Sequence, residues 1–304
     1  MSQRVLRNLF LLPPLAALLL ALAPSRSFGQ IRKTCPGGTT LKVSAAVSAQ
    51  GSLLLTEILG PKSLPTFSSE WDGHDIPLWR ETEKSIALHG LIGVDLEKPP
   101  GRYEWKVSWP GPEGKTLSCS VLITVRAGKF PIERLTVGKQ FVQPDPEQQK
   151  RAEEDQQKMR AIYDTVTPEH LWDGKFLLPL KDVTTGGNFG RRRILNGEAR
   201  SPHAGVDFPA ATGTPVFASQ SGKVVLAENL FYSGNTVVID HGYGIYTLYA
   251  HLSLIGVNPG DSVKAAAEIG KVGATGRVTG PHLHWGLTID HARVNAMQIA
   301  QRQP

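Results

Sequence analysis

The chain has 304 residues, among them 31 glycines and 22 prolines, and 40% of its residues are hydrophobic, which favours two turn-rich globular domains over one helical bundle. The formal net charge is +6, but three arginines that contribute to it lie in the first 29 residues, which contain no acidic residue. The excess that remains is too small to predict nucleic-acid binding.

The first 29 residues predict a secretory signal peptide. Two arginines precede an apolar stretch from Leu9 to Ala23, and Ser27-Phe28-Gly29 supplies small residues at the expected cleavage position. The alternative is an uncleaved anchor, but the apolar stretch is shorter than the roughly 20 residues that span a bilayer. We therefore expect export to the periplasm or cell envelope, or secretion, with residues 1–29 removed and no stable membrane span afterwards.

Residues 30–127 predict an N-terminal immunoglobulin-like β-sandwich. Short segments with alternating polarity are separated by glycine and proline turns, as in antiparallel sandwiches. Four tryptophans in this region favour core packing over a glycan-binding platform. The predicted strands are 40–44, 52–56, 103–107 and 120–125, and the tryptophans are Trp71, Trp79, Trp105 and Trp109.

The chain has two cysteines, Cys35 and Cys119. In an oxidising compartment they are expected to form a disulfide, which would contribute on the order of 4 kcal/mol of stability by closing a long loop. Two free, buried thiols are the alternative. Without a histidine cluster nearby, the pair is a poor metal site.

Residues 128–174 predict a linker that contains an amphipathic helix. Its sequence becomes rich in Gln, Glu, Lys and Arg, and Met159, Ile162, Tyr163 and Val166 follow the spacing of one helix face. We expect this face to pack on one domain and the charged face to be solvated. A partner-binding role for the charged face is the alternative.

Residues 175–295 predict a second, compact antiparallel β domain, followed by a short tail at 296–304. The chain as a whole is therefore expected to be mostly β. Strand patterns interrupted by glycine turns carry this prediction. The segments are 214–218, 222–227, 236–240 and 245–251.

Within this domain, the triplet His282-Leu283-His284 and the upstream pair His203 and Asp207 look like half of a catalytic zinc site. In a strand, side chains two residues apart project from the same face, so His282 and His284 would enter one cavity together. One of them could bind metal while the other moves protons. Pro202 and Gly205 argue against a helix between His203 and Asp207, so an extended segment entering a strand is expected.

Five sequence blocks follow one another in this domain: Phe189-Gly190-Arg191-Arg192, His203 to Phe208, Tyr249-Ala250-His251-Leu252, Gly273-Ala274-Thr275-Gly276 and Gly280 to His284. The order of these blocks resembles the LytM and lysostaphin-type zinc endopeptidases over residues 175–290. The resemblance implies that His203, Asp207 and His284 bind one Zn²⁺ per chain. Such a donor set leaves a fourth position for water, as in catalytic zinc sites.

The same resemblance implies catalytic roles for His251 and His282 and a peptidoglycan peptide as substrate. Histidines titrate near neutrality and suit proton transfer, so we expect His282 to act as general base and His251 to orient water or stabilise the oxyanion. The alternatives are a non-catalytic LytM-like regulator that activates another cell-wall hydrolase, and an envelope-binding module with structural zinc. A regulator of this type usually lacks site residues that are all present here, and a structural zinc site would need a fourth protein ligand. The oligomeric state is not predicted.

Overall fold

The computed structural model describes residues 30–60, 66–183 and 186–301. The predicted signal peptide at 1–29 lies outside these residues. Among the residues that the model describes, no helix is long and apolar enough to cross a membrane. The fold is mostly β, as predicted.

The N-terminal part is built from two β-sheets that share one hydrophobic core. One sheet has the strand order β1-β2-β4-β7 and the other β3-β9-β8-β5-β6, with a single parallel pair between β3 and β9. All four tryptophans of this part are buried, so they belong to cores and not to a surface platform. The immunoglobulin-like assignment stays a prediction. The strands are β1 (Ile31–Thr34), β2 (Thr40–Val43), β3 (Val47–Ala49), β4 (Leu53–Leu59), β5 (Ser68–Trp71), β6 (His74–Asp75), β7 (Ala87–Gly93), β8 (Gly101–Pro110) and β9 (Thr116–Arg126).

Cys35 and Cys119 form a disulfide, which confirms the first of the two alternatives. Cys35 directly follows β1 and Cys119 lies in β9, so the bond joins the two sheets. It closes a loop across a sequence separation of 84. Two short 3₁₀ turns, Pro36–Gly38 and Pro112–Gly114, lie close to its two ends.

The segment between the two parts contains a strand as well as a helix. Strand β10 (Ile132–Leu135) is followed by a 3₁₀ turn (Lys139–Phe141) and by helix α1 (Pro146–Tyr163). Strand β10 pairs in parallel with β11 (Arg192–Leu195), which also pairs with β12 (Glu198–Ala199). The predicted linker therefore contributes one strand to a small sheet beside the C-terminal domain.

Helix α1 starts with a capping box. The Asp145 side chain accepts from the backbone N–H of Gln148, and the Gln148 side chain accepts from the backbone N–H of Asp145. Met159, Ile162 and Tyr163 pack on a cluster of the C-terminal domain that contains Leu226, Leu230, Val238 and Tyr246.

The predicted apolar face of this helix also included Val166, but the helix ends at Tyr163 and Val166 is exposed. Thr167 precedes Pro168, and a residue before proline disfavours the helical conformation, which is a physical reason for an end in this region.

The C-terminal part is a nine-stranded antiparallel sheet with the central order β13-β20-β17-β16-β15-β18. Its core is filled by large side chains, of which Phe208, Tyr249 and Trp285 are almost completely buried. The elements are β13 (Gly205–Pro209), β14 (Pro215–Phe217), β15 (Gly222–Leu230), β16 (Gly234–Asp240), β17 (Ile245–Ile255), β18 (Ser262–Val263), β19 (Glu268–Val272), β20 (His282–Ile289), β21 (Ala292–Val294) and a short helix α2 (Met297–Gln301).

The two parts pack against each other through one continuous core. Leu53, Trp79 and Leu91 of the N-terminal part belong to the same buried cluster as Trp172 and Ile299. At the edge of this contact, Arg293 donates to Asp95 at 2.8 and 3.0 Å and to Glu97 at 2.9 Å. The far end of the β20–β21 hairpin, whose first strand carries His282 and His284, is therefore held by the N-terminal part.

Candidate metal centre and catalytic cleft

The pairing register of the C-terminal sheet places Asp207 beside His284. Strands β13 and β20 are antiparallel neighbours, and Asp207 and His284 are direct partners across them. On the other side of β20, Ala250 of β17 is the partner of His284. Residues of three strands therefore meet at one end of the sheet.

His203 reaches this point from an extended segment and not from a helix, as predicted. Its backbone N–H donates to Arg191 O at 2.9 Å, and its carbonyl accepts from Gly190 N at 2.8 Å, just before β13 begins at Gly205. Gly205 makes room for the site, because a Cβ there would lie 2.5 Å from His284 Nε2. Only glycine tolerates such a close approach.

Three donor atoms converge at the site. His203 Nε2 and His284 Nδ1 each lie 3.0 Å from Asp207 Oδ1, and the two ring nitrogens are 2.8 Å apart. Within the described residues these three side chains are the group that could hold a metal ion. His282 Nε2 lies farther away, at 3.7 Å from Asp207 Oδ1. Of the two histidines in the triplet, His284 thus belongs to the converging group and His282 flanks it.

The second carboxylate oxygen of Asp207 is held by other residues. Asn188 Nδ2 donates to Oδ2 at 3.1 Å, and an Arg193 nitrogen lies 3.8 Å from the same atom. Burial alone would raise the pKa of Asp207, but hydrogen bonds from His203 and His284 outweigh it and hold this pKa far below its usual range. Asp207 is therefore anionic, with Oδ1 directed at the two imidazoles, and is a candidate metal ligand.

The two flanking histidines present the same ring nitrogen to the cleft. His251 Nδ1 lies 2.8 Å from Thr275 O, and His282 Nδ1 lies 2.8 Å from Gly280 O. A carbonyl oxygen only accepts, so each Nδ1 carries the proton and each Nε2 of a neutral ring keeps its lone pair. The two ring centroids are 4.9 Å apart, so both rings can contact one small reacting group.

His251 has a backbone conformation that L-residues rarely adopt, with φ of 64°. It lies where the pairing of β16 with β17 slips: Val237 pairs with Tyr249 but Asn235 pairs with Leu252, which leaves one extra residue in β17. Such a bulge redirects a side chain, and left-handed backbone at a non-glycine residue is a strain often kept at functional sites.

Because of this strain, we expect glycine at position 251 to give a more stable protein than alanine does. Within a strand, glycine normally destabilises relative to alanine by about 0.5–1 kcal/mol, but at a left-handed position the Cβ of alanine is unfavourable. We expect His251→Gly to unfold at a higher urea concentration than His251→Ala, by about 1 kcal/mol in the free energy of unfolding. An alanine variant as stable as the glycine variant would show that the bulge is unstrained.

Three buried histidines are held in the neutral form. Burial lowers the pKa of His203 to about 4 and that of His241 to about 4. Burial, with smaller effects of His284 and His282, lowers the pKa of His251 to about 3. His241 is not part of the converging group: its ring nitrogens contact Ser221 O and Thr247 Oγ1, so it supports the loop that follows β16.

The lowered pKa values predict acid sensitivity of the metal-free protein. In the unfolded chain these histidines take up protons near pH 6.5, whereas in the folded chain they do so only near pH 3–4. Their contribution to stability is therefore complete above pH 6.5 and is lost as the pH falls. Each should lower the free energy of unfolding by up to about 1.4 kcal/mol per pH unit. Urea unfolding in chelator between pH 7 and 5 measures this slope, and His241→Gln should reduce it by up to about 1.4 kcal/mol per pH unit. An unchanged slope in that variant would exclude His241 as a contributor.

The site opens into a cleft with a volume of about 260 Å³. The residues that line it beside the histidines were not predicted from the sequence. They come from three segments that are distant in the sequence. These are β10, the segment from Asn188 into β11, and the loop before β20. The lining includes Glu133, Leu135, Asn188, Arg193 and Arg277. Asn188 belongs to the segment just before the Phe189-Gly190-Arg191 block, which was the one local signal for it.

The remaining histidines lie outside the cleft. His74 and His291 have ring centroids 5.6 Å apart, and His89 and His170 lie against Trp79. His74 is exposed, and His291 Nδ1 lies 3.3 Å from Asp164 Oδ1.

Comparison with known proteins places the site in a family. The model of Peptidase family M23 matches residues 201–296. The peptidoglycan DD-endopeptidase ShyA of Vibrio cholerae is 48% identical over 112 residues, which cover 36% of this chain and 26% of ShyA. The DD-carboxypeptidase/endopeptidase Mpg of Neisseria meningitidis is 43% identical over 102 residues, which cover 34% of this chain and 24% of Mpg. The chain thus spans about a quarter of the length of each relative.

One solved structure resembles the chain along most of its length. It comes from Pseudomonas aeruginosa, is described as a candidate peptidase M23, and is 27% identical with a TM-score of 0.59. The match covers 88% of this chain and 95% of that one. Because the converging side chains and the family match fall on the same residues, the domain at 201–296 belongs to peptidase family M23.

Proposed function

We propose that this chain is an exported, zinc-dependent endopeptidase that hydrolyses peptide bonds in peptidoglycan stem peptides or cross-links. The observation that carries the proposal is the convergence of His203 Nε2, Asp207 Oδ1 and His284 Nδ1 at an open cleft, beside two further histidines. The names of ShyA and Mpg support peptidoglycan as the substrate class.

The donor set fits a zinc ion. Two imidazoles and one carboxylate are borderline ligands that suit Zn²⁺, and three protein ligands are typical of catalytic rather than structural sites. Asp207 brings one negative charge, while Asn188 and Arg193 keep its other oxygen away from the donor cluster. When bound, zinc would polarise the scissile carbonyl and lower the pKa of water to roughly 7.

His251 and His282 would handle the protons. Both rings direct an Nε2 lone pair toward the cleft, so either can accept a proton from an attacking water. We assign His282 as the general base, because its Nε2 lies 3.7 Å from Asp207 Oδ1 and therefore faces the converging donor atoms, beside which an attacking water would lie. The protonated His282 then returns its proton to the leaving amine. His251 stays neutral and orients the water as an acceptor.

A non-catalytic regulator is not favoured. A protein that only activates another hydrolase has no need for three converging ligands and two oriented histidines. Export is proposed on the sequence of residues 1–29 and agrees with a substrate that lies outside the cytoplasm. A structural role for zinc is disfavoured because His203, Asp207 and His284 are the described residues that converge, which leaves one position open.

Digestion of purified peptidoglycan sacculi tests the proposal. The mature protein should release new amino groups, chelator should stop this release, and added Zn²⁺ should restore it. His282→Ala serves as a variant expected to be inactive. If the metal-loaded protein released no amino groups from sacculi or from their isolated cross-linked peptides, the proposed activity would be wrong.

A further inference from the structure

Arg277 is fixed in the wall of the cleft. It lies in the loop between β19 and β20 and lines the same cavity as His251 and His282. Its backbone N–H donates to Tyr232 O at 2.8 Å, and its guanidinium carbon lies 4.5 Å from the centroid of the Tyr232 ring. This cation–π contact orients the side chain but gives none of its five N–H donors an oxygen acceptor.

No carboxylate among the described residues forms an ion pair with Arg277. Arg193 lies 3.6 Å from Glu133, and Arg200 lies 2.6 Å from Glu198. Within the described residues, Arg277 has neither an ion pair nor a side-chain hydrogen bond, whereas Arg193 and Arg200 each form an ion pair. It is therefore the cation of this cleft whose donors are free for a ligand.

The surroundings make this free charge unfavourable. Burial, together with the nearby charges of Arg193 and Arg200, lowers the pKa of Arg277. A guanidinium nevertheless stays protonated at neutral pH. A bound anion would stabilise a partly buried cation that lies beside other cations. The guanidinium group can bind a carboxylate in a bidentate arrangement.

We propose that Arg277 binds a free carboxylate of the substrate peptide while the scissile bond lies against His251 and His282. This inference rests on the proposed function and narrows its substrate class to acidic peptides. Glu133 does not oppose such a ligand, since Arg191 lies 3.0 Å and Arg193 3.6 Å from its carboxylate. A purely structural Arg277, which only packs on Tyr232, is the competing explanation.

A matched pair of substrates separates the two explanations. One is a cross-linked peptide released from peptidoglycan, and the other is the same peptide with its carboxylates converted to amides. Wild type should cleave the acidic form with a kcat/KM about 10- to 100-fold higher, the usual effect of one charge-assisted hydrogen-bonded pair. Arg277→Gln should lose this preference by slowing cleavage of the acidic form alone. Arg192→Gln is the control. Arg192 is exposed and does not line the cleft, so this substitution removes the same charge at a position outside the cleft.

A binding measurement gives a second readout. In the chelated protein, calorimetry should show that the acidic peptide binds wild type about tenfold more tightly than it binds Arg277→Gln. Arg277→Lys keeps the charge without the fork and should give an intermediate preference; it decides the question if the Gln variant does not fold.

The outcomes keep the two claims apart. Equal loss on both peptides, or an unchanged preference in Arg277→Gln, would overturn the role of Arg277 and leave the peptidase intact. Failure of the metal-loaded wild type to cleave either peptide would instead overturn the proposed function.

Discussion

Asp207→Ala is expected to abolish metal binding and to lower peptidoglycan hydrolysis by a factor on the order of 10³ or more. Asp207 Oδ1 is the atom within 3.0 Å of both His203 Nε2 and His284 Nδ1, and it supplies the negative charge of the donor set. Without it, two neutral imidazoles remain, which form an incomplete ligand set for a divalent ion. Metal content per chain, measured on the purified variant together with amino-group release, checks the expectation.

Asp173→Ala is the matched control. Asp173 is exposed, and its backbone carbonyl rather than its carboxylate accepts a hydrogen bond from Gln220. Its replacement should leave one metal ion per chain and full activity. An Asp207→Ala protein that kept one equivalent of metal and wild-type hydrolysis would contradict the assignment.

His251→Ala and His282→Ala are each expected to lower kcat by about 10²- to 10⁴-fold while metal content stays near one per chain. The rings of both residues face the cleft, and neither belongs to the converging ligand group. Loss of proton transfer without loss of metal is the signature of a catalytic histidine as opposed to a ligand. Metal analysis and steady-state kinetics on the same preparations separate these two roles.

His74→Ala serves as the histidine control, because His74 is exposed in the N-terminal part. It should behave like wild type in both measurements. If His251→Ala or His282→Ala retained a wild-type kcat, that residue would have no part in catalysis; if either lost its metal, it would have to be reassigned as a ligand.

Local sequence patterns predicted the positions of the strands well, whereas the candidate ligand set came from the resemblance to a known family. Alternating polarity placed four strands in each part of the chain, and the period of two put His282 and His284 on one face of β20. The pairing register of β13 and β20 explains why this face of β20 is next to Asp207, because Asp207 is the direct cross-strand partner of His284. The two cysteines were left as either bonded or free, since a sequence separation of 84 says nothing about their distance in space.

Long-range pairing was beyond the sequence patterns. Strand β10 lies in a segment predicted as a linker, and its parallel partner β11 is about 60 positions away in the sequence. That pairing brings Glu133 to Arg193, and the loop before β20 adds Arg277 to the same cleft. No periodic pattern in either segment predicts that these residues line one cleft, because they come together only when the sheets have formed.

The backbone conformation of His251 is a second feature that could not be predicted from the sequence. Its segment has the alternating pattern of a regular strand, yet the bulge and the left-handed φ of 64° turn the side chain to the cleft. A bulge is set by the mismatch between two paired strands and not by the residues of one strand. The resemblance to a known family identified His251, whereas its local sequence did not.

The location of the bound ion tests the central claim most directly. Crystals of the zinc-loaded protein, measured at the zinc absorption edge, should show one anomalous peak per chain within coordination distance, roughly 2.0–2.2 Å, of His203 Nε2, Asp207 Oδ1 and His284 Nδ1. A peak at other residues, or no peak at these three atoms in zinc-saturated crystals, would contradict the account.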